Sequence, residues 1–557
     1  MPSKYLAFIV RCAVLLACWT VYAADNHQGI VASVNPLATR AGLNALKSGG
    51  NAVDAAIAVG LTLGVVDTHN SGIGGGCFML IHLANGTNVC IDGREMAPAA
   101  ATRDMFVRQG RGDTDLSQNG PLASGVPGEL AAFDFAEKNY GKKNLRDIIL
   151  PAADLAENGY EFDRTSARLL ASVAPEMKKC PAASAIFFPG GEPFKAGDIL
   201  KQPDLAQTYR QIAAEGVNWF YRGPFATAAG NWMAANGGLL TSNDFASYHI
   251  EIRDPIATTY RGYEVVSFPP PSSGGVHVLE MLNILEAFDL KHLDETTRLH
   301  VIAEAMKLAF ADRAYWLGDP DYVNVPRGLI SKKYAAGLAE KINLAKTISV
   351  ATHGLPPDWQ TDVFKKHTTH FCTADAAGNW VSCTATINTP FGSKVVIPGT
   401  GVVMNDQMDD FSAQAGVPNF FGLVGSDANA VAPNKRPLSS MSPTIVFKNG
   451  RPIIALGAAG GPKIITTVLL ELVDLLDLGM TPSQAVAAPR IHEQWLPDEL
   501  FVESRLSDSL KQSLMQRGHK VEVLSALSVS QIIACFPDGE GFVGAADPRA
   551  NGTVETW

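Results

Sequence analysis

The chain reads as a layered α+β protein, and three observations predict it. Strand-like runs pair around the turn-forming dipeptides Asn85-Gly86, Gly378-Asn379, Asn449-Gly450 and Asp538-Gly539, and links this short favour antiparallel hairpins. Stretches with apolar residues at three- and four-residue spacing lie between them, as expected of helices that cover the faces of a sheet. The third observation is size: 557 residues, 46% hydrophobic and 18% charged, suffice for a large buried core.

Along the chain, Lys4 and Arg11 precede an apolar run over 12–23 that ends in Val21-Tyr22-Ala23. This predicts an export signal over residues 1–23 and a periplasmic or secreted protein. The run is too short to span a bilayer, and polar Asp25-Asn26-His27 follows at once. Cys18 after Leu16-Ala17 is an alternative lipid-attachment position. Residues 37–46 have helical spacing that stops at Gly49-Gly50, and 52–63 form a nearly all-apolar helix that must be buried. Strands follow at 78–83 and 88–92. From about 126 to 340 the pattern is mainly helical, most clearly at 296–316, where Leu299, Ile302, Ala303, Met306, Phe310 and Ala314 share one side. Residues 346–367, with Gly354, Pro356 and Pro357, read as an exposed linker. Beyond it, strands pair at 370–373 with Trp380–Thr386, 444–447 with 452–456, and 531–535 with 541–545, and helices occupy 464–478 and 507–517. The linker thus divides two parts of one core.

The net charge of -10 is spread along the chain, which argues against a phosphate-backbone ligand and excludes nucleic acid. Apart from Cys12 and Cys18, the cysteines are Cys77, Cys90, Cys180, Cys372, Cys383 and Cys535. Without a Cys-x-x-Cys pair they suggest neither a zinc site nor a disulfide scaffold. The glycines at 72–76 imitate a dinucleotide loop, but Cys77 takes the last glycine position and a strand follows. Residues 457–463 fall short of a phosphate loop because Pro462 separates Gly461 from Lys463. No Gly-x-Ser-x-Gly elbow occurs. His300 and Glu304 lie one helical turn apart, yet no second histidine at that spacing completes a metal site, so a packed helix pair is expected there.

What remains is Thr368-Thr369-His370, where the polar linker meets the first strand of the second part. A threonine hydroxyl needs a base beside it, and its own α-amino group can serve once the preceding peptide bond is cut. Such an amine has a reference pKa of about 7.7–8.0 and is partly unprotonated near neutrality. Cleavage between His367 and Thr368 would create nucleophile and base together. On spacing alone, a threonine opening a strand has an ordinary structural explanation.

Several motifs carry a resemblance. Thr368-Thr369-His370-Phe371, Thr386-Ile387-Asn388-Thr389-Pro390-Phe391-Gly392, Asn405-Asp406-Gln407-Met408-Asp409-Asp410-Phe411, Pro437-Leu438-Ser439-Ser440-Met441-Ser442-Pro443-Thr444 and Gly460-Gly461 resemble the bacterial γ-glutamyltransferases, or glutathione hydrolases. Residues 49–58, 71–80, 94–98, 124–128 and 547–549 fit as well. The resemblance implies the N-terminal nucleophile hydrolase fold, a four-layer αββα sandwich, self-cleaved into a large subunit over 24–367 and a small subunit over 368–557. The two would stay together as a heterodimer sharing one core. It implies Thr368 as nucleophile with Thr386 hydrogen-bonded to it, and Gly460 and Gly461 N–H groups as the oxyanion hole. Arg94, Ser439 and Ser440 would hold the substrate α-carboxylate, and Asn388, Gln407 and Asp410 its α-ammonium, donors facing the anion and acceptors the cation.

The implied substrates are glutathione and other γ-glutamyl compounds, with water, amino acids or peptides as acceptors and no metal or organic cofactor. Singly, each residue has a plainer explanation: Arg94 as a solvated strand end, Asp409-Asp410 as an exposed turn, Ser439-Ser440 as a strand lead-in, Gly460-Gly461 as a helix entry. Residues 414–435 resemble the family's lid loop, but Phe421 stands where that loop often carries a tyrosine, so a phenolic hydrogen bond to Asn388 is missing. Two alternatives stand beside this reading. A cephalosporin acylase of the same superfamily would act on a glutaryl group lacking the ammonium and leave the Asp410 charge unpaired. A non-catalytic periplasmic amino-acid-binding protein would remain one uncut chain.

Overall fold

The computed structural model describes residues 28–360, 364, 371–536 and 541–557. The export segment expected over 1–23, His367, Thr368 and His370, and the Asp538-Gly539 turn lie outside them. Two sheets are built from β1 (Gly29–Ser33), β2 (Gly76–His82), β3 (Asn88–Gly93), β4 (Glu251–Arg253), β5 (Ile256–Tyr260), β6 (Tyr263–Ser267) and β7 (Cys372–Asp375). They continue with β8 (Trp380–Thr386), β9 (Thr444–Lys448), β10 (Arg451–Ala459), β11 (Val529–Cys535), β12 (Phe542–Ala546) and β13 (Thr553–Thr556). One sheet runs β13-β1-β7-β8-β2-β3-β4 and the other β12-β11-β10-β9-β6-β5. Every pairing in both is antiparallel.

The alternation of side chains along a strand makes four layers. Ile30, Ala32, Phe78, Leu80, Cys372 and Ala374 point into a core shared with the second sheet. Their neighbours Val31, Cys77, Met79, Ile81, Val381 and Cys383 point the other way, into a core shared with the covering helices. Those helices include α1 (Pro36–Lys47), α2 (Ala52–Val66) and α3 (Glu129–Tyr140). On the second sheet lie α4 (Ser273–Leu285), backed by α5 (Glu295–Trp316), and α6 (Lys463–Leu476). The expected αββα sandwich is the fold found.

Local chemistry sets the boundaries. Asn35 caps α1 by accepting the Leu37 N–H at 2.9 Å, with Pro36 opening the helix. Asn51 and Asp54 form a capping box on α2. All of α2 is buried, packed between α1 and strands β7 and β8. Asn449 (φ 53°) and Gly450 (φ 75°) both take left-handed backbone, the geometry of a two-residue hairpin turn. At 72–76 the glycines answer to packing: a Cβ on Gly75 would sit 2.0 Å from the Thr386 carbonyl oxygen.

Residues 346–360 form neither helix nor strand and are mostly exposed, as expected of a linker. Strands from before and after it are interleaved in the first sheet, with β7 and β8 between β1 and β2, so both parts share one core. At α5 the helix expected over 296–316 is present, and it is buried beyond its apolar side. The helix is buried on nearly all sides from His300 to Arg313, including Glu304, Lys307, Asp312 and Arg313, not on a single apolar side. Each charge has a polar partner: Glu304 accepts the Ile348 N–H at 2.7 Å, Lys307 pairs with Asp498 at 2.7 Å, and Asp312 accepts Tyr334 Oη–H at 2.5 Å.

Candidate active site

A cavity of about 150 Å³ opens where β8 and β10, from the two facing sheets, reach their C-terminal ends. Thr386, the last residue of β8, lines it, and its Oγ1 accepts the Asn388 N–H at 2.8 Å. That contact holds Asn388 in left-handed backbone, φ 79°, a conformation asparagine tolerates. Asn388 Nδ2 donates to the Asp406 carbonyl at 3.1 Å. Asp406 in turn accepts the Thr389 N–H at 3.0 Å and its hydroxyl at 2.6 Å, which fixes the turn. Burial pushes the Asp406 carboxyl up to about 7, with Lys394 opposing.

On the other side β10 ends at Ala459, and Gly460 and Gly461 follow it just before α6. Gly461 has φ 61°, and a Cβ there would lie 2.5 Å from the Phe421 ring. Glycine therefore allows both the turn and the close approach of the loop over 414–435. Phe421 lines the cavity. The loop is held by the Phe420 N–H on Asp409 Oδ2 at 3.0 Å and by Gln494 Nε2 on the Phe421 carbonyl at 3.4 Å.

Arg94 is fully buried, unlike a solvated strand end. Its Nε donates to the Pro437 carbonyl at 3.1 Å, and its Nη2 to the Leu438 carbonyl at 3.2 Å and to Asp410 Oδ2 at 2.5 Å. Asp410 also accepts Gln407 Nε2 at 2.8 Å, which leaves Gln407 Oε1 buried with no hydrogen-bond partner. The groups expected for the carboxylate and for the ammonium therefore meet at Asp410, within one wall of the cavity. Beneath Arg94, burial raises the Glu95 carboxyl to about 8, with Arg94 opposing. Asp409, far from an exposed turn, is 1% exposed, bonds Ser117 Oγ at 2.5 Å, and is pushed up to about 6 by burial. Ser439 and Ser440 complete the wall.

All the expected substrate residues (Arg94, Asn388, Gln407, Asp410, Ser439 and Ser440) line this one cavity with Thr386, Gly460 and Gly461. The described chain resumes at Phe371, which lines an adjoining cavity bordered by Thr384, Ala385 and Ala459, residues of the first cavity's wall as well. Sequence reasoning missed Asn70, Asn405 and Arg313. Asn70 lines the pocket. Asn405 backs the lining residue Gln407, accepting its N–H at 3.1 Å, with Nδ2 on the Gly74 and Gly125 carbonyls at 2.8 and 2.9 Å. Arg313 donates to Ser440 Oγ at 3.1 Å. The charged pair Asp312-Arg313, between Phe310-Ala311 and Ala314 in α5, was the available signal.

Away from the cavity, His300 and Glu304 are joined by His519, which spacing could not show. His300 Nε2 donates to the Asn343 carbonyl at 2.7 Å, so its Nδ1 accepts from His519 Nε2, also at 2.7 Å. The two histidines are hydrogen-bonded and Glu304 packs beside them, all three buried, in keeping with the packed pair expected there.

The family model described as Gamma-glutamyltranspeptidase matches residues 38–557. The chain is 47% identical over 530 residues to the glutathione hydrolase proenzyme of Escherichia coli (strain K12), covering 94% of this chain and 90% of that one. It is 39% identical over 545 residues to the acylase ACY 1 proenzyme of Pseudomonas sp. (strain SE83), covering 95% and 94%. The crystal structure of a cephalosporin acylase from Bacillus halodurans superposes with a TM-score of 0.85 at 30% identity, over 97% of this chain and 98% of that one. With matches spanning nearly its whole length and a pocket assembled from the motifs that carry the likeness, this chain belongs to the gamma-glutamyltranspeptidase family.

Proposed function

We propose that the chain is a self-processing γ-glutamyltransferase and glutathione hydrolase, cut between His367 and Thr368 into subunits of 24–367 and 368–557. The observation that carries this reading is the two-signed wall of the cavity: Arg94, Ser439 and Ser440 offer donors to an α-carboxylate, while Asp410, Gln407 Oε1 and Asn388 offer acceptors to an α-ammonium. A γ-glutamyl group carries both charges on one carbon.

In the proposed reaction the α-amine of Thr368 takes the proton from its own hydroxyl as Oγ attacks the γ-carbonyl carbon. The developing oxyanion is held by the Gly460 and Gly461 N–H groups, where glycine permits close approach. The C–N bond then breaks, the amine leaves with a proton, and a γ-glutamyl ester remains on Thr368. Water converts it to glutamate, or the amine of an amino acid or peptide takes the acyl group and frees the hydroxyl. Each sheet contains hydrogen-bonded strands from both parts, which supports a heterodimer that persists after cleavage.

Denaturing electrophoresis of wild type beside Thr368→Ala, with a γ-glutamyl p-nitroanilide assay on each, tests the proposal. Two bands and activity are expected in the first, one band and none in the second. A single active wild-type band would overturn it, and a single inactive one would favour a binding protein. The acylase relatives favour a second reading, deacylation of a glutaryl group. Such a group would leave Asp410 facing no cation, so γ-glutamyl anilide should be preferred over glutaryl anilide by about 100-fold, the scale of one charged hydrogen bond.

A further inference from the structure

Arg313 lies on α5, 5% exposed, behind the cavity wall that carries Ser439 and Ser440. Its Nε donates to Ser273 Oγ at 2.9 Å and its Nη2 to Ser440 Oγ at 3.1 Å. Ser273, the first residue of α4, passes its own hydroxyl proton to the Ser439 carbonyl at 2.7 Å and its N–H to the same oxygen at 2.8 Å. One guanidinium therefore grips both consecutive serines, one directly and one through Ser273. Among the described residues no carboxylate lies within ion-pair distance of it, whereas Arg94 is already paired with Asp410. Burial lowers its pKa to about 10, opposed by the charge of Asp410, and it remains a cation at neutral pH.

A buried guanidinium with only neutral hydroxyl partners is costly to maintain unless an anion completes it. The Ser440 hydroxyl accepts from Arg313, and among the described residues nothing takes the proton that hydroxyl has to give. An accepting lone pair committed to the back of the wall turns the O–H toward the cavity. We propose that Arg313 is a positioning residue for the α-carboxylate of the donor: it fixes Ser439 and Ser440, aims the Ser440 hydroxyl proton into the pocket, and adds positive charge behind the wall to that of Arg94, which Asp410 partly offsets. This rests on the γ-glutamyl reading and deepens it, assigning carboxylate recognition to a residue that touches no substrate atom.

The test compares competitive inhibition of γ-glutamyl p-nitroanilide hydrolysis by L-glutamate, which keeps the α-carboxylate, and by 4-aminobutyrate, which lacks it. In processed Arg313→Met the KM for the anilide and the inhibition constant of glutamate should both rise by about 10- to 100-fold, the range for a hydrogen bond to a charged group. The inhibition constant of 4-aminobutyrate and kcat should change by less than about threefold, as expected when uniform binding is lost. Arg313→Lys, which keeps charge and one donor, should recover part of the glutamate affinity. Should Arg313→Met fail to mature, Ser273→Ala, which removes the Nε acceptor, should give the same selective loss of glutamate at about threefold. Equal losses for both inhibitors, or no loss for either, would overturn the inference. A wild-type enzyme that does not prefer glutamate to 4-aminobutyrate would instead overturn the reading of the pocket beneath it.

Discussion

Arg313 and Arg490 are both buried, yet their surroundings differ in kind. Arg490 is matched in charge by its neighbours: Nη2 meets Glu471 at 2.8 Å, Nη1 meets Asp547 at 2.7 Å, and Ser528 and Ser530 accept further bonds. Two carboxylates and one guanidinium leave no unmatched positive charge. Arg313 has two hydroxyls and, among the described residues, no carboxylate. A buried charge balanced within the chain serves the fold, and one left open toward a cavity is ready for a ligand.

The sharpest way to break this contrast is Arg490→Met. It strands Glu471 and Asp547 in the core, where burial already pushes Glu471 up to about 7 against the opposing Arg490. Losing one partner of such a group costs about 3–5 kcal/mol. The denaturant midpoint should fall accordingly, while kcat/KM per folded molecule stays near wild type. A large loss of kcat/KM with an unchanged midpoint would reverse the assignment. At the pocket the balance should invert. Asp410→Asn removes the anion shared by Arg94 and Gln407, and kcat/KM for the γ-glutamyl anilide should drop by about 100-fold, or roughly 1.5–3 kcal/mol. Its midpoint should move less than that of Arg490→Met.

This contrast also explains what could be read from the sequence. Helix α2 and strands β2, β3 and β8 were legible because period and turn residues are local signals, and they fall within a few residues of the expected bounds. Burial of charge is not local. Arg94 reads as a solvated end until the Pro437 and Leu438 carbonyls, more than 340 positions away, cover it. Arg313 lies 127 positions from Ser440 and His300 219 from His519. The candidate site residues were proposed through motif order, which carries no geometry, so the residues behind the wall stayed hidden.

The His300–His519 pair supplies a milder test, since it is closed by hydrogen bonds but can be opened by protons. Burial, with His300 beside it, lowers His519 to about 3, and burial lowers His300 as well. Above the ordinary histidine pKa of about 6.5 both states are neutral and nothing is lost. As pH falls from 6.5 toward 3, the unfolded chain binds protons that the folded one refuses, so stability declines. At pH 5 the cost should be about 2 kcal/mol relative to pH 7. A chain carrying His300→Gln and His519→Gln should show a flatter stability profile between pH 7 and 5 by denaturant melts, and an unchanged slope would place the acid sensitivity elsewhere.

The smallest expected effect concerns the loop over the open pocket. Phe421 packs its ring on Gly461 and reaches the cavity without a polar atom. Asn388 uses its Nδ2 on Asp406, which leaves its Oδ1 as an acceptor on the same cavity. Phe421→Tyr offers that oxygen a donor, and one neutral hydrogen bond is worth about 0.5–1.5 kcal/mol. A loop held more firmly shields the acyl ester from water, so the ratio of transfer to hydrolysis, measured as γ-glutamyl-glycylglycine formed against glutamate released, should rise by about three- to tenfold. If the ratio does not move, the Phe420 N–H on Asp409 and Gln494 on the Phe421 carbonyl already hold the loop closed. Water would then be admitted by some other part of the wall.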